Sequence, residues 1–402
     1  MSRIKLLILQ PIDPLGNKIG GTKTFIKNFI EHAPDEFNIE WVGISTNKKE
    51  RPVGKWQKIK LGDKIFSFLP ILYIKDENKK TKLPLILYFV LSLSRNKSRI
   101  FLDDKILEYY RIEPALLFKN VPNKKMLYIL GNIKDLYNPH SEIMWSKFPW
   151  AYFKIEKYLM PQMEKVFVVS NSGLEFYKKK YPFMADRLCF MPTFVDNKKF
   201  YPWSSNREKM DRSSDLKNRY GFSKNDKIIL SVGRLEGAKN PFLLIDSFYN
   251  LVKYNLNVKL LIVGTGSLEK DVIKRVKKYN LQENVKFLGV ISSDDVMKLM
   301  KISDVFLMTS AFEGMPMSAL EALASGLPVV STDVGEIKMA VKDGISGLLV
   351  PDNSAESIAR AVLEILNNKE KFNTKNCVDS IKDYTVEHVL SGIYKMHYDM
   401  II

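Results

Sequence analysis

Cysteine is nearly absent from this chain of 402 residues: only Cys189 and Cys377 occur, far apart and without metal-ligand neighbours. A disulfide-stapled scaffold is thereby excluded, and both are expected to be reduced thiols of a cytoplasmic protein. Histidine is almost as scarce. His32, His140, His388 and His397 show no zinc-like spacing, so no metal site is expected. Long apolar runs are missing too. The longest, Leu83 to Leu93, is about half of a bilayer-spanning helix and is bounded by Lys82 and Arg95. The opening MSRIKLLILQPIDPLG has too short an apolar patch for a signal peptide and no small-residue cleavage site, so Ile4 to Leu9 reads as a first buried strand.

What is present is a soluble globular composition, 46% hydrophobic and 27% charged, long enough for two domains with a core each. Positive charge is in excess, 62 basic against 45 acidic residues, for a net charge of +17. That excess implies attraction to an anionic partner: nucleic acid, an acidic lipid surface or a phosphorylated substrate. No nucleic-acid reading module is recognisable, so no nucleic-acid partner is expected.

Short apolar runs followed by loops and helical periodicity recur along the chain, the grammar of a parallel sheet. Ile4 to Leu9 leads through a loop into Gly20-Gly21-Thr22 and a helix with Phe25, Ile26, Phe29 and Ile30 on one face. Strand, glycine loop and helix present backbone N–H groups to a phosphate, although a plain turn reads equally from a glycine pair. Strands are expected at Trp41–Ser45, Lys58–Ile59, Arg99–Leu102, Lys125–Leu130 and Leu188–Met191. Lys165–Ser170 reads as a buried strand whose end, Ser170-Asn171-Ser172, caps the next helix. The aromatic, lysine-rich stretch Asp63–Arg95, and Phe176-Tyr177 with Lys178-Lys179-Lys180, suit either a basic helix face lying on an anionic membrane or a solvated face packed on the sheet. Polar Tyr201–Asn225 reads as an interdomain linker.

The second half repeats the pattern. Lys227–Val232 is a buried strand followed by Gly233-Arg234-Leu235-Glu236-Gly237-Ala238-Lys239-Asn240, which places two cations in one loop at a strand's carboxyl end. Ligands of open α/β sheets bind there, and two fixed cations neutralise a diphosphate. Val258–Gly264 closes in Gly264-Thr265-Gly266, which is expected to act near a nucleotide base. Further on, Val305–Met308 leads to Glu313, then Gly314-Met315-Pro316 opens a helix carrying Glu321, followed by a strand at Pro328–Ser331 and a turn at Gly335. Pro316 suits an early helical position, where no N–H is needed. Gly314 allows close approach of a ligand. Both carboxylates can serve one crevice, or both can be solvated surface groups that complement the helix dipole.

The segment EGMPMSALEALASGLPVVSTDVG, with Glu313 and Glu321 separated by seven residues, and the segment VGRLEGAKN resemble the signatures of the retaining glycosyltransferases of family 4, also called glycosyl transferases group 1. The resemblance implies an α/β GT-B fold: two doubly wound Rossmann-like domains facing a central cleft. It places an acceptor-side domain at residues 1–200, a nucleotide-sugar domain at 201–388, and a last helix, 389–402, packing back on the first domain. It further implies transfer of a sugar, with retained anomeric configuration, from a UDP- or GDP-linked donor to a glycan or lipid-linked acceptor in polysaccharide or glycolipid synthesis. No tightly bound cofactor or metal is implied.

By the same resemblance Arg234 and Lys239 hold the diphosphate and Glu313 the sugar hydroxyls. Glu321 holds the ribose, Gly233 and the backbone of Met315, Pro316 and Met317 assist the phosphates, and Gly20 and Gly21 close over them. The sequence departs from the family at Leu130-Gly131, where a histidine-glycine pair is usual, and at Thr193-Phe194, where asparagine-glycine is usual. Those departures motivate a second reading, a catalytically impaired sugar-nucleotide-binding subunit. An epimerase would need acid and base groups that four histidines hardly supply.

Overall fold

The computed structural model describes residues 3–18, 20–79, 81–131, 144–254 and 257–401. The chain divides into two units, Met1–Pro192 with Val389–Ile402, and Thr193–His388.

The first unit is built on an eight-stranded sheet. Its strands are β1 (Ile4–Leu9), β2 (Phe37–Ser45), β3 (Gln57–Leu61), β4 (Lys64–Tyr73), β5 (Lys105–Tyr109), β6 (Lys125–Ile129), β7 (Lys165–Val168) and β8 (Leu188–Phe190), in the order β3-β4-β2-β1-β5-β6-β7-β8. All neighbours are parallel except β3, which runs antiparallel to β4. Helices α1 (Gly21–Glu31), α2 (Leu85–Arg95), α3 (Pro149–Leu159) and α4 (Asn171–Lys180) cross between strands. On one sheet face a single core joins Ile86, Phe89 and Leu93 of α2, Leu159 of α3 and Tyr177 of α4 to the strands. α1 and the final helix of the chain meet one another through Phe29 and Tyr394, whose rings lie 5.2 Å apart. Both sheet faces are therefore covered, which is why β1 and β5 are buried almost throughout.

Several sequence expectations fail in this unit, each for a physical reason. The stretch 63–95 is not one helix: its first third is β4, where Phe66 and Phe68 are buried beside Trp41. Residues 99–102 form no strand. The strand is β5, whose Glu108 disguises it; that carboxylate is buried and satisfied by His397 Nε2 at 2.6 Å and by Tyr128 Oη at 3.1 Å. The Lys178-Lys179-Lys180 run is partly structural. Lys178 pairs with Glu175, and Lys180 reaches buried Glu156, which also accepts from Tyr177 and Tyr181.

The second unit carries a six-stranded, all-parallel sheet. Before it comes α5 (Asn206–Arg219), so the expected linker 201–225 is a capped helix and turn inside this unit. The strands are β9 (Lys227–Val232), β10 (Val258–Val263), β11 (Val285–Gly289), β12 (Val305–Met308), β13 (Val329–Thr332) and β14 (Gly347–Val350), ordered β11-β10-β9-β12-β13-β14. The helices are α6 (Pro241–Val252), α7 (Glu269–Lys278), α8 (Ser293–Ile302), α9 (Met317–Ala324), α10 (Ile337–Ala340), α11 (Ala355–Asn367), α12 (Thr374–Ser380) and α13 (Val386–Asp399), the last of which runs on into the first unit. The strand order reverses at β9, so the carboxyl ends of β9 and β12 diverge and leave a crevice at the switch point.

Candidate functional site

The crevice beyond β9 and β12 is a small hollow lined by Ser231, Gly233, Arg234, Lys239, Thr309 and Ser310, with Pro241, Leu244, Ile262 and Met308 beneath. Its shape comes from close backbone approaches. Gly264 has φ +126°, and a Cβ there would lie 2.0 Å from the carbonyl of Gly233; one on Gly266 would lie 2.3 Å from the carbonyl of Leu235. The Gly264-Thr265-Gly266 segment thus buttresses the cationic loop. Leu235 N–H donates to Thr265 at 3.0 Å to hold the two together. Thr309, 3% exposed, donates its hydroxyl to the carbonyl of Asn240 at 3.1 Å and pins the other end of that loop. Asn240 itself sits at φ +44° and caps α6.

Two cations meet in the hollow, each with an acid at hand. Arg234 Nη1 lies 2.7 Å from Glu236, a pair half exposed on the arginine side. Exposed pairs of this kind contribute about 0–1 kcal/mol, so an incoming phosphate can take the place of Glu236 at little cost. Lys239 donates to Glu313 Oε1, and Ser310 Oγ donates to the same oxygen at 2.8 Å. Lys239 and Glu313 are largely shielded from water, so this contact fixes the carboxylate beside the cations. Behind it Gly335, at φ +58°, leaves room for the carbonyls of Glu313 and Gly314, which a Cβ would meet at 2.4 and 2.3 Å.

Arg234, Lys239, Gly233 and Glu313 are therefore brought together. Pro316 is not the first helical residue: at φ −74°, ψ 112° it is the residue before α9, and Met317 begins the helix. Met315 and Pro316 are buried, and no side chain caps the helix start. Glu321 lies on the second turn of α9. Burial lifts its carboxyl to about 8, opposed only in part by Lys199. Gly20 and Gly21 lie in the first unit, where Gly20, at φ +148°, precedes α1 and faces open space. Leu130 and Gly131 follow β6, Phe194 is a buried core residue at 1% exposure, and His140 lies outside the described residues.

Sequence reasoning missed Thr309 and Ser310 and took Gly335 only as a turn. The available signal for the first two was a pair of small hydroxyl residues directly after a central strand, the usual place for ligand contacts. Among the described residues, no group of three or more His, Cys, Asp or Glu side chains is arranged to hold a metal ion, and no helix is long and apolar enough to cross a membrane.

Residues 213–376, which include the whole hollow, match the family model described as "Glycosyl transferases group 1". One curated relative, the UDP-Gal:alpha-D-GlcNAc-diphosphoundecaprenol alpha-1,3-galactosyltransferase of Escherichia coli, is 28% identical over 225 residues, covering 54% of this chain and 55% of that protein. The chain spans about half the length of the first such relatives. Among solved structures, sucrose-phosphate synthase of Thermosynechococcus elongatus superposes with a TM-score of 0.79 at 17% identity, over 99% of both chains. HepE of Anabaena in complex with UDP superposes with a TM-score of 0.72 at 15% identity, over 98% of this chain and 100% of that one. The matched site segment and the full-length likeness agree: residues 213–376 are similar to the glycosyl transferases group 1 family, and the chain has the GT-B fold.

Proposed function

We propose that the protein transfers a sugar from a nucleoside-diphosphate sugar to a glycan or lipid-linked acceptor, with retention of anomeric configuration, in surface polysaccharide or glycolipid synthesis. The observation that carries this reading is the convergence of Arg234, Lys239 and Glu313 on one hollow at a switch point. In it the two cations hold the diphosphate, Gly233 lets the backbone approach, and Glu313 accepts hydrogen bonds from sugar hydroxyls. The uncapped N–H groups at Met315 to Met317 face the phosphates and Glu321 takes the ribose. Gly20 and Gly21 close on the donor from the first unit, which serves the acceptor, while the second unit serves the nucleotide sugar. HepE supports a UDP-linked donor, since its structure holds UDP, and the Escherichia coli relative's name supports a lipid-linked acceptor.

In the transfer, the bond from the anomeric carbon to the diphosphate oxygen breaks and the acceptor oxygen bonds that carbon on the same face. The acceptor proton passes to the departing phosphate. Negative charge grows on that phosphate, and fixed cations in a partly dry hollow stabilise it without reorganising. The enzyme would work as a cytoplasmic protein at the inner membrane face.

The test is a screen of UDP- and GDP-sugars by thermal stabilisation, since a ligand bound only by the folded state raises the midpoint, followed by NMR of the product made with the stabilising donor. One nucleotide sugar should raise the midpoint and the product should keep the donor's anomeric configuration. An inverted product would overturn retention, and no shift with any nucleotide sugar would overturn the donor assignment. The second reading, an impaired binding subunit, is favoured by Leu130 where the family has histidine. Donor binding with neither hydrolysis nor transfer would establish it.

A further inference from the structure

One side of the first unit is chemically one-sided. Three segments cover it, residues 84–102, 114–125 and 144–163, and together they hold nine lysines and arginines against a single acid, Glu156. That acid is buried, at 0% exposure, and committed to Tyr177, Tyr181 and Lys180. No carboxylate in these segments faces solvent, Asp103, Asp104 and Glu164 lying just beyond their ends, whereas elsewhere some surface lysines stand beside an acid, as Lys274 does beside Asp271 and Lys298 beside Asp295.

The segments also form one continuous surface. The turn Glu113–Phe118 packs against both α2 and α3. Just beyond it Lys119 donates to Tyr158 Oη at 3.0 Å across to α3, and Lys97, after α2, donates to the carbonyl of Leu117 at 3.0 Å.

The apolar content of this surface is unusual for solvent. α2 spends Ile86, Phe89 and Leu93 on the core, which leaves Leu91 54% exposed on its outer stripe above Arg95. On α3, Trp150, Lys154, Lys157 and Tyr158 recur at helical spacing along one outward stripe, with Trp150 69% exposed. Phe148, just ahead of that helix and beside Lys147, is exposed as well. Exposed tryptophan and tyrosine alternating with lysine is the composition of a surface that lies at the headgroup level of a bilayer: the rings enter the interface and the ammonium groups meet anionic headgroups. A nucleic-acid face would share the lysines but gains nothing from an exposed leucine.

We propose that the outer faces of α2 and α3 form a docking surface for an anionic lipid bilayer, anchored by Trp150 and Tyr158 and held electrostatically by Lys119, Lys154 and Lys157. This narrows the location suggested by the sequence to the α2 end of residues 63–95 and adds α3, because Phe66 and Phe68 are core and Lys180 reaches buried Glu156. The proposal deepens the lipid-linked acceptor reading and rests on it for its purpose. Docking is measured without donor or acceptor, so its failure and the failure of sugar transfer are separate results.

The test is co-sedimentation of the full chain with phosphatidylcholine vesicles and with vesicles that also contain phosphatidylglycerol, at low and high salt. Wild type should bind only the anionic vesicles and be released by salt. Lys154→Glu with Lys157→Glu should lower the apparent affinity on the order of tenfold or more, and Trp150→Ala with Tyr158→Ala should lower it severalfold. Lys277→Glu with Lys278→Glu, on α7 of the second unit, makes the same change in net charge and should leave binding within about twofold. Equal loss in both charge-reversal variants would overturn the proposal in favour of bulk charge. Absence of binding to anionic vesicles would overturn it outright, as would single-stranded DNA that displaces the vesicles through Lys154 and Lys157. An unchanged thermal midpoint in each variant excludes misfolding as the cause.

Discussion

The two units handle their charges in opposite ways. In the first unit, buried ions are spent on one another. Asp13 is held by Arg51 at 3.0 Å and by the backbone and hydroxyl of Thr46, and Glu77 accepts from the N–H of Asp13 and of Lys18. A Cβ at Gly16 would lie 2.3 Å from that same Glu77 carboxylate. These ions fix the loop between β1 and α1. In the second unit, Arg234 and Lys239 sit at the rim of a hollow with partners that a ligand can replace. The same residue types thus serve as scaffold where they are enclosed and as a binding site where a crevice opens, and burial decides which.

The contrast is breakable by substitution. The largest effect on stability is expected for Arg51→Ala, which leaves the Asp13 carboxylate enclosed without its cation. Loss of one partner of a buried pair costs about 3–5 kcal/mol, measured by urea unfolding. A loss below about 1 kcal/mol would show that this pair is no more structural than a surface one.

Lys239→Ala should do the reverse. Turnover should fall about 100- to 1000-fold, the range for removal of one group that stabilises a developing anion, while the unfolding midpoint moves little. Full turnover with the variant would remove Lys239 from the chemistry.

The smallest effect, taken per unit of pH, concerns Glu321. Its carboxyl titrates near 8 in the folded protein, against 4.5 for the ordinary group. Between those values the folded state keeps a proton that the unfolded state has lost, so this group's contribution to stability falls as pH rises from about 5 to 8; Glu321→Gln should abolish that slope. If the ionised form binds the ribose, donor affinity should rise about tenfold per pH unit below 8, with one proton released. Calorimetry in buffers of different ionisation enthalpy reads that proton, and a flat affinity would remove the carboxylate from the ribose.

Legibility in the sequence followed the same divide. Val305–Met308 was read to the residue, as was Lys227–Val232, because each is a short apolar run between polar and glycine-bearing loops. β5 was not, since its Glu108 looks like a solvent residue until His397, 289 positions away, is found beside it. α7 went unread because its core side is only Val272 and Val276 among seven lysines, arginines and acids. At the site, Arg234, Lys239 and Glu313 were legible as charged residues in glycine-bearing loops after strands. Gly264 and Gly335 were visible only as turns, since what they make room for lies on other strands.

The sequence by itself determined the alternation of strand and helix, the paired units and the loops that carry the charge, because these depend on local periodicity and on backbone freedom at glycine and proline. Tertiary structure alone decided which ions are enclosed and which face a crevice, where the exposed aromatic side of α2 and α3 lies, and how far Glu321 is removed from water. Those properties depend on which distant segments stack against each residue and exclude solvent from it.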